Sequence, residues 1–164
     1  MENVRIYVAC LASYNAGKLH GKWIDATDTD TMNDSIQAML SASPEPGAEE
    51  FAIHDYEAPW PIDEYESLDD IASAVDAYEM HGDAFVAALN LANNVEAAIE
   101  MVDDRYCGAY DSWQQMAECY VDEGLFGPVP DALAYYLDYD AIGRDLEIEH
   151  SGAHVDGVLH VFSL

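Results

Sequence analysis

Basic residues are scarce in this 164-residue sequence, which has 5 lysines and arginines against 33 aspartates and glutamates. The formal net charge at pH 7 is -28. Proteins that bind nucleic acid hold its phosphates with lysine and arginine side chains, so this composition excludes such binding unless the few bases form a patch. They are scattered along the chain instead: Arg5, Lys18, Lys22, Arg105 and Arg144. We therefore expect no nucleic-acid partner.

Cysteines and long apolar runs are also scarce. The three cysteines, Cys10, Cys107 and Cys119, are odd in number and far apart, which argues against a secreted disulfide framework. No stretch approaches the roughly 20 apolar residues of a membrane span, and the opening residues lack the basic start and apolar run of a signal peptide. These patterns predict a cytoplasmic protein with no membrane partner.

Motifs for metal binding and catalysis are missing as well. The segment that starts at Asp28 begins like a calcium loop, but it has Asn33 where the loop needs glycine and Met39 where it needs glutamate. The candidate zinc ligands include no close cysteine pair: Cys107, Cys119, His150 and His154. No nucleophile elbow, phosphate-binding glycine loop or dinucleotide fingerprint occurs. We therefore expect no enzyme activity, no catalytic residue, no metal and no cofactor.

Apolar and aromatic residues are plentiful, which separates this chain from disordered acidic tails. The hydrophobic fraction is 51%, with 11 tyrosines, 3 tryptophans and 4 phenylalanines. A chain of this composition can build a core. Its length suits one ordinary domain or a few very small ones, and the changes of pattern along it predict an α+β fold of three small domains in series.

The predicted N-terminal domain, residues 1–60, is an antiparallel sheet with one helix. Alternating apolar residues predict strands at residues 4–8, 21–24 and 50–54. The helix between the last two strands has Thr29 or Asp30 as its cap and buries four apolar side chains at helical spacing: Met32, Ile36, Met39 and Leu40.

The other two predicted domains are a helical bundle, residues 61–104, and a mixed α and β domain, residues 105–164. The first bundle helix is capped by Ser67 and buries Leu68, Ile71, Ala72 and Val75, and the next two lie at about residues 84–91 and 95–102. The last domain has strands at residues 105–107 and 157–162. Its helices are predicted at residues 113–121 and from about Ala132 through Leu137.

The arrangement of the carboxylates is the most informative feature of the sequence. An exposed helix normally mixes glutamate with lysine, but residues 23–104 contain no lysine or arginine at all. Rows such as Glu96, Glu100 and Asp103 place like charges about 5 to 6 Å apart on one helix face, a spacing of the same order as phosphates along a nucleic-acid strand. We predict that the following carboxylates bind a partner in place of phosphates: Asp55, Glu57, Asp63, Glu64, Glu66, Asp69, Asp70, Asp76, Glu79, Glu96, Glu100, Asp103, Asp104, Asp138 and Asp140.

Four segments of the chain resemble the ArdA antirestriction proteins of plasmids and conjugative transposons. They are YNAGKLHGKW at residues 14–23, EEFAIHDYE at 49–57, IDEY at 62–65 and YLDYDAIGRDL at 136–146. The resemblance implies an elongated, curved molecule of three domains that dimerises through its C-terminal domain and mimics bent duplex DNA. It also implies binding in the DNA groove of type I restriction-modification enzymes, which blocks restriction and in many members modification too.

A different class of function stays open at this point. A general cytoplasmic protein of a salt-loving organism also has few lysines and many acids, and it needs no partner. That class predicts acidic residues spread evenly along the chain, whereas the first 22 residues contain a single acidic residue, Glu2. The uneven distribution favours the DNA mimic.

Overall fold

The structure, a computed structural model, describes residues 3–164. The chain divides into two compact units, of which the first ends at Met80 and the second is His81–Leu164. The elements of the first unit are β1 (Arg5–Cys10), α1 (Leu11–Asn15), β2 (Gly21–Asp25), α2 (Thr29–Ser41), β3 (Phe51–Glu57) and α3 (Leu68–His81). Those of the second are α4 (Asp83–Leu91), α5 (Val95–Asp104), β4 (Tyr106–Tyr110), α6 (Trp113–Asp122), α7 (Asp131–Ala134), α8 (Tyr139–Glu149), β5 (His150–Val155) and β6 (Val158–Ser163).

The first unit is built on an antiparallel sheet in the order β2-β1-β3. Alternation along β1 buries Ile6 and Val8, and the four apolar residues predicted for α2 are all buried. The predicted strands and helix of residues 1–60 are therefore confirmed. The cap of α2 is Asp28 instead of Thr29 or Asp30, because its carboxylate accepts hydrogen bonds from both the amide (2.9 Å) and the hydroxyl (2.8 Å) of Thr31.

Helix α3 completes the first unit. It buries Ile71 and Val75 as predicted, while Leu68 and Ala72 are only partly buried. Ahead of it, the buried Trp60 packs edge-on against Tyr78 of α3, with ring centroids 5.4 Å apart. The residues that follow 60 thus share the core of the first unit, and α4 and α5 belong to the second. The division into three domains at residues 60 and 104 stays a prediction.

The second unit has helices on both faces of an antiparallel sheet in the order β4-β6-β5. Leu159 and Val161 of the central strand β6 join a core cluster with Met116 and Ala117 of α6 and Leu146 of α8. Helices α4 and α5 pack on each other, and α4 also contacts β5 and β6. The part of this unit from residue 105 onward has the mixed α and β structure that the sequence predicts for the end of the chain.

The predicted helix from Ala132 through Leu137 is wrong in extent. Only Asp131–Ala134 is helical, and Tyr135 and Tyr136, the next two residues, are 95% and 83% exposed. A new helix, α8, starts instead at Tyr139, because the Asp138 carboxylate accepts a 3.0 Å hydrogen bond from the Ala141 amide. Neither α8 nor β5 is predicted by the apolar pattern.

Candidate partner-binding surface

All carboxylates in the described part of the chain lie at the surface. None of the aspartates and glutamates among residues 3–164 is buried, and all are exposed except Glu45, Glu66 and Glu118, which are partly buried. Burial of an unpaired carboxylate would cost several kcal/mol, so the fold leaves these groups in water. Of the carboxylates predicted to bind a partner, only Glu66 is partly buried, and all the others are exposed.

Few of these charges are compensated. Within residues 3–164, the carboxylates that lie within 4.0 Å of a basic group are Asp25, Glu45, Glu57 and Asp103. Arg5 contacts both Asp25 (3.5 Å) and Glu57 (3.4 Å), and Lys18 pairs with Glu45. Every other described carboxylate lacks a basic partner at this distance, so the surface retains most of its negative charge.

Besides Asp55 and Glu66, which accept hydrogen bonds from nearby backbone amides, four predicted carboxylates contact another side chain or cap a helix. Glu57 pairs with Arg5, and Asp103 lies 3.0 Å from Nε2 of His81. Asp69 accepts a 2.7 Å hydrogen bond from the Thr29 hydroxyl, and Asp138 caps α8. All four are exposed and keep oxygen lone pairs for a partner, but part of their role is structural.

The fold brings four of the predicted carboxylates together between β3 and the start of α3. An open depression there is lined by Asp63, Glu64, Tyr65, Glu66, Ser67 and Asp70. The Ile53 amide of β3 donates a 2.9 Å hydrogen bond to the Glu64 carbonyl, and the Glu66 amide donates a 3.1 Å bond to the Asp63 carbonyl. These bonds fix the backbone of the acidic loop, residues 63–66, and with it the points from which the carboxylate side chains extend.

Tyr65 projects from the middle of this loop and is 71% exposed. The adjacent Glu64 carboxylate raises the pKa of the Tyr65 hydroxyl, because a phenolate would add a second negative charge beside it. The hydroxyl therefore stays protonated at neutral pH. It is a hydrogen-bond donor among groups that only accept, and the Glu64 carboxylate is one of its acceptors.

Helix α8 carries acids that the sequence analysis left out of the candidate set. Asp145 and Glu149 are exposed and lie four residues apart, so they form a row like that of α5. The apolar pattern does not predict this helix, so it does not point to its acids either. Their i, i+4 spacing is the signal in the sequence that does.

The described residues contain no group of three or more histidine, cysteine or acidic side chains arranged to hold a metal ion. The four candidate zinc ligands of the sequence analysis are thus not assembled into a metal site. In the same part of the chain, no helix combines the length and the apolar character needed to span a bilayer.

The sequence matches the family described as "Antirestriction protein (ArdA)" over residues 6–159. The chain belongs to the ArdA family. None of the curated proteins compared with it matches. The match extends over most of both compact units and covers all the predicted partner-binding carboxylates, so the acidic surface described above is that of an ArdA antirestriction protein.

Proposed function

We propose that this ArdA protein mimics duplex DNA and inhibits type I restriction-modification enzymes in the cytoplasm by occupying their DNA-binding groove. The observation that carries the proposal is the exposure of the carboxylates together with their lack of basic partners. A groove that binds DNA presents lysine and arginine to phosphates. The same side chains can pair with a surface whose own cations are almost absent.

The amount of charge is sufficient for such a surface. Duplex DNA carries one negative charge per about 1.7 Å of its axis, so 33 carboxylates equal the charge of roughly 55 Å of duplex. A net charge of -28 also makes the folded chain repel itself, which lowers its stability. A binding role accounts for a composition that folding alone disfavours.

Electrostatic attraction would govern both the rate and the strength of binding. Opposite potentials steer two proteins together before contact, and salt screens that attraction over about 8 Å at physiological ionic strength. The affinity of the inhibitor should therefore fall steeply as salt rises, as it does for DNA itself.

A competition experiment tests the proposal. Purified protein is added to a type I methyltransferase core bound to labelled target DNA, at salt concentrations from 50 to 300 mM, and bound DNA is measured by fluorescence anisotropy. We expect displacement at low salt and weaker displacement at high salt. Circular dichroism at each salt concentration is the control for folding.

Two outcomes of the competition would contradict the proposal. One is that the DNA complex stays intact at 50 mM salt while the inhibitor is folded. The other is that the inhibitor is unfolded at low salt and folds only in concentrated salt, which would favour the general acidic protein of a salt-loving organism.

We further propose that the protein is a homodimer that pairs through the C-terminal apolar segment, defined by Leu125, Phe126, Leu133, Tyr135 and Tyr136. All five side chains are exposed. The same stretch of the chain contains a hollow whose lining includes Val129, Ala134 and Leu137 together with Asp122. Exposed apolar and aromatic side chains of this kind are typical of protein interfaces.

Serine substitution of Tyr135 and Tyr136 tests the dimer. We expect Y135S/Y136S to sediment as a monomer at concentrations at which the wild type has twice the chain mass, because the apolar contact area is lost. The matched control is L19S/M80S, which removes two exposed apolar side chains from the first unit. Equal behaviour of the two variants in sedimentation equilibrium would contradict an interface at this segment.

A further inference from the structure

His160 is a buried titratable residue at the centre of the second sheet, and the proposed function makes no use of it. It lies on the middle strand β6 and is 7% exposed. Its Nδ1 is 3.0 Å from the Tyr106 hydroxyl of β4, and the two rings are stacked with centroids 6.0 Å apart. Its Nε2 is buried and has no hydrogen-bond partner among the protein atoms of residues 3–164.

The groups around His160 provide little stabilisation for a doubly protonated, positively charged imidazole. On the neighbouring strands, the residues paired with it are Ala109 of β4 and Ala153 of β5, neither of which has a polar side chain. The ionisable groups that act on it are the Tyr106 hydroxyl and, from α4, the Asp83 carboxylate. Burial lowers the pKa of His160, and the attraction of Asp83 opposes this only in part. Burial also raises the pKa of Tyr106, so its hydroxyl keeps its proton.

We propose that His160 is an acid-sensitive lock of the second unit, in which the neutral imidazole holds β6 between β4 and β5 and protonation releases them. The proton comes from solvent and binds the ring nitrogen that lacks one. Both nitrogens then carry hydrogen, and only Nδ1 has a neighbour that can accept. The Nε2 hydrogen then stays buried without an acceptor, and the positive charge is offset only in part by Asp83, which a core tolerates poorly.

The direction of the pH dependence follows from the lowered pKa. In the unfolded chain His160 titrates near the ordinary histidine value of about 6.5. The stabilisation that the neutral imidazole provides is therefore fully present above about pH 6.5. It decreases as the pH falls below this value, and it is lost once the pH reaches the pKa of His160 in the folded protein. Each unit by which the pKa is lowered corresponds to about a tenfold change in the unfolding equilibrium.

Acid also protonates surface carboxylates, which reduces self-repulsion in both units and stabilises the fold. The test must therefore separate the second unit from the first. Amide hydrogen exchange of the full chain, corrected for intrinsic rates, is measured between pH 7 and pH 5 for the wild type, His160→Leu and His154→Leu. His154 is the matched control, since it lies on the adjacent strand β5 and is exposed.

We expect acid to speed exchange in β4, β5 and β6 of the wild type and of His154→Leu, relative to β1, β2 and β3. His160→Leu should lose this difference, because leucine has no proton to accept. An NMR titration of the wild-type imidazoles gives an independent readout that needs no variant, and we expect a midpoint for His160 below 6.5. A midpoint at or above 6.5, or the same acid response in His160→Leu, would overturn the proposal.

Discussion

Replacing Asp63, Glu64 and Asp70 with their amides is expected to weaken inhibition of a type I enzyme by about 100-fold at low salt. The three carboxylates line one depression, are exposed, and have no basic group within 4.0 Å in the described chain. An exposed ion pair contributes up to about 1 kcal/mol, so three lost pairs amount to about 3 kcal/mol. Since each 1.4 kcal/mol is a factor of ten, the sum corresponds to about two orders of magnitude.

Glu66 is left unchanged in this variant because its carboxylate accepts a hydrogen bond from the Asp63 amide (3.4 Å) and is partly buried. The amides keep the size of the side chains and remove only their charge. The measurement is the concentration of D63N/E64Q/D70N that displaces half of the labelled DNA at each salt concentration. The slope of affinity against salt should also become shallower, because fewer ion pairs are shared.

The control for net charge is D25N/E45Q/E118Q. It removes the same number of charges, but Asp25 pairs with Arg5, Glu45 pairs with Lys18, and Glu118 accepts a hydrogen bond from the Gln114 amide group. Carboxylates that already have a partner contribute less to binding a new one. We therefore expect the loss of inhibition to be several-fold smaller than for D63N/E64Q/D70N. An equal loss in both variants would mean that long-range charge alone decides affinity and that the acidic loop is not a contact.

The first half of the fold could be predicted from sequence because local patterns and tertiary packing agree there. The alternation in β1 and the helical spacing of Met32, Ile36 and Met39 both point to one core, and all three α2 residues are buried. The predicted cap, Thr29 or Asp30, is wrong by one or two residues because Asp28, Thr29 and Asp30 all suit that position. Only the geometry of the Thr31 hydrogen bonds chooses between them.

The last third was harder to predict because apolar residues there do not all face a core. Leu133, Tyr135 and Tyr136 are exposed, and their presence beside the α8 residues Ile142 and Leu146 blurs the helical period. Strand β5 was missed because it is poor in β-branched residues. Its signal was the Asp156-Gly157 turn, in which both residues have positive φ, 49° and 85°, as a two-residue hairpin requires.

The local partners of the surface carboxylates were as hard to predict from sequence as the last third of the fold. Composition was enough to predict that the acids lie outside and that most lack basic partners. It could not reveal that Arg5 reaches Glu57, 52 residues away, or that His81 meets Asp103. Such pairs depend on which strands and helices become neighbours, and that is decided by the whole core.

Substitution of Gly143 is expected to destabilise the second unit more than any other single change considered for α8. A Cβ atom at this position would lie 2.9 Å from the carbonyl carbon of Trp113 and 3.0 Å from the amide nitrogen of Gln114. Both are backbone atoms at the start of α6, so they cannot move aside as a flexible side chain would. Glycine at this position therefore lets α6 and α8 approach closely enough to bury Met116 and Leu146 together.

Helix propensity alone predicts the opposite sign for Gly143→Ala, since alanine stabilises a helix interior by about 1 kcal/mol over glycine. We expect Gly143→Ala to lower the free energy of unfolding instead, and Gly143→Val to lower it by about 3 kcal/mol, the upper range for overpacking. That is a large share of the roughly 5 to 15 kcal/mol that holds a domain folded. Urea unfolding followed by circular dichroism measures both.

The matched control is Ile148→Val, which places the same β-branched residue elsewhere in α8, where the side chain is exposed. A surface change of this kind should stay within about 0.5 kcal/mol. If Gly143→Ala raised stability as propensity predicts, the two helices could not be in backbone contact at residue 143. If it lowers stability, the cost arises from the contact with α6, because alanine by itself favours the helix.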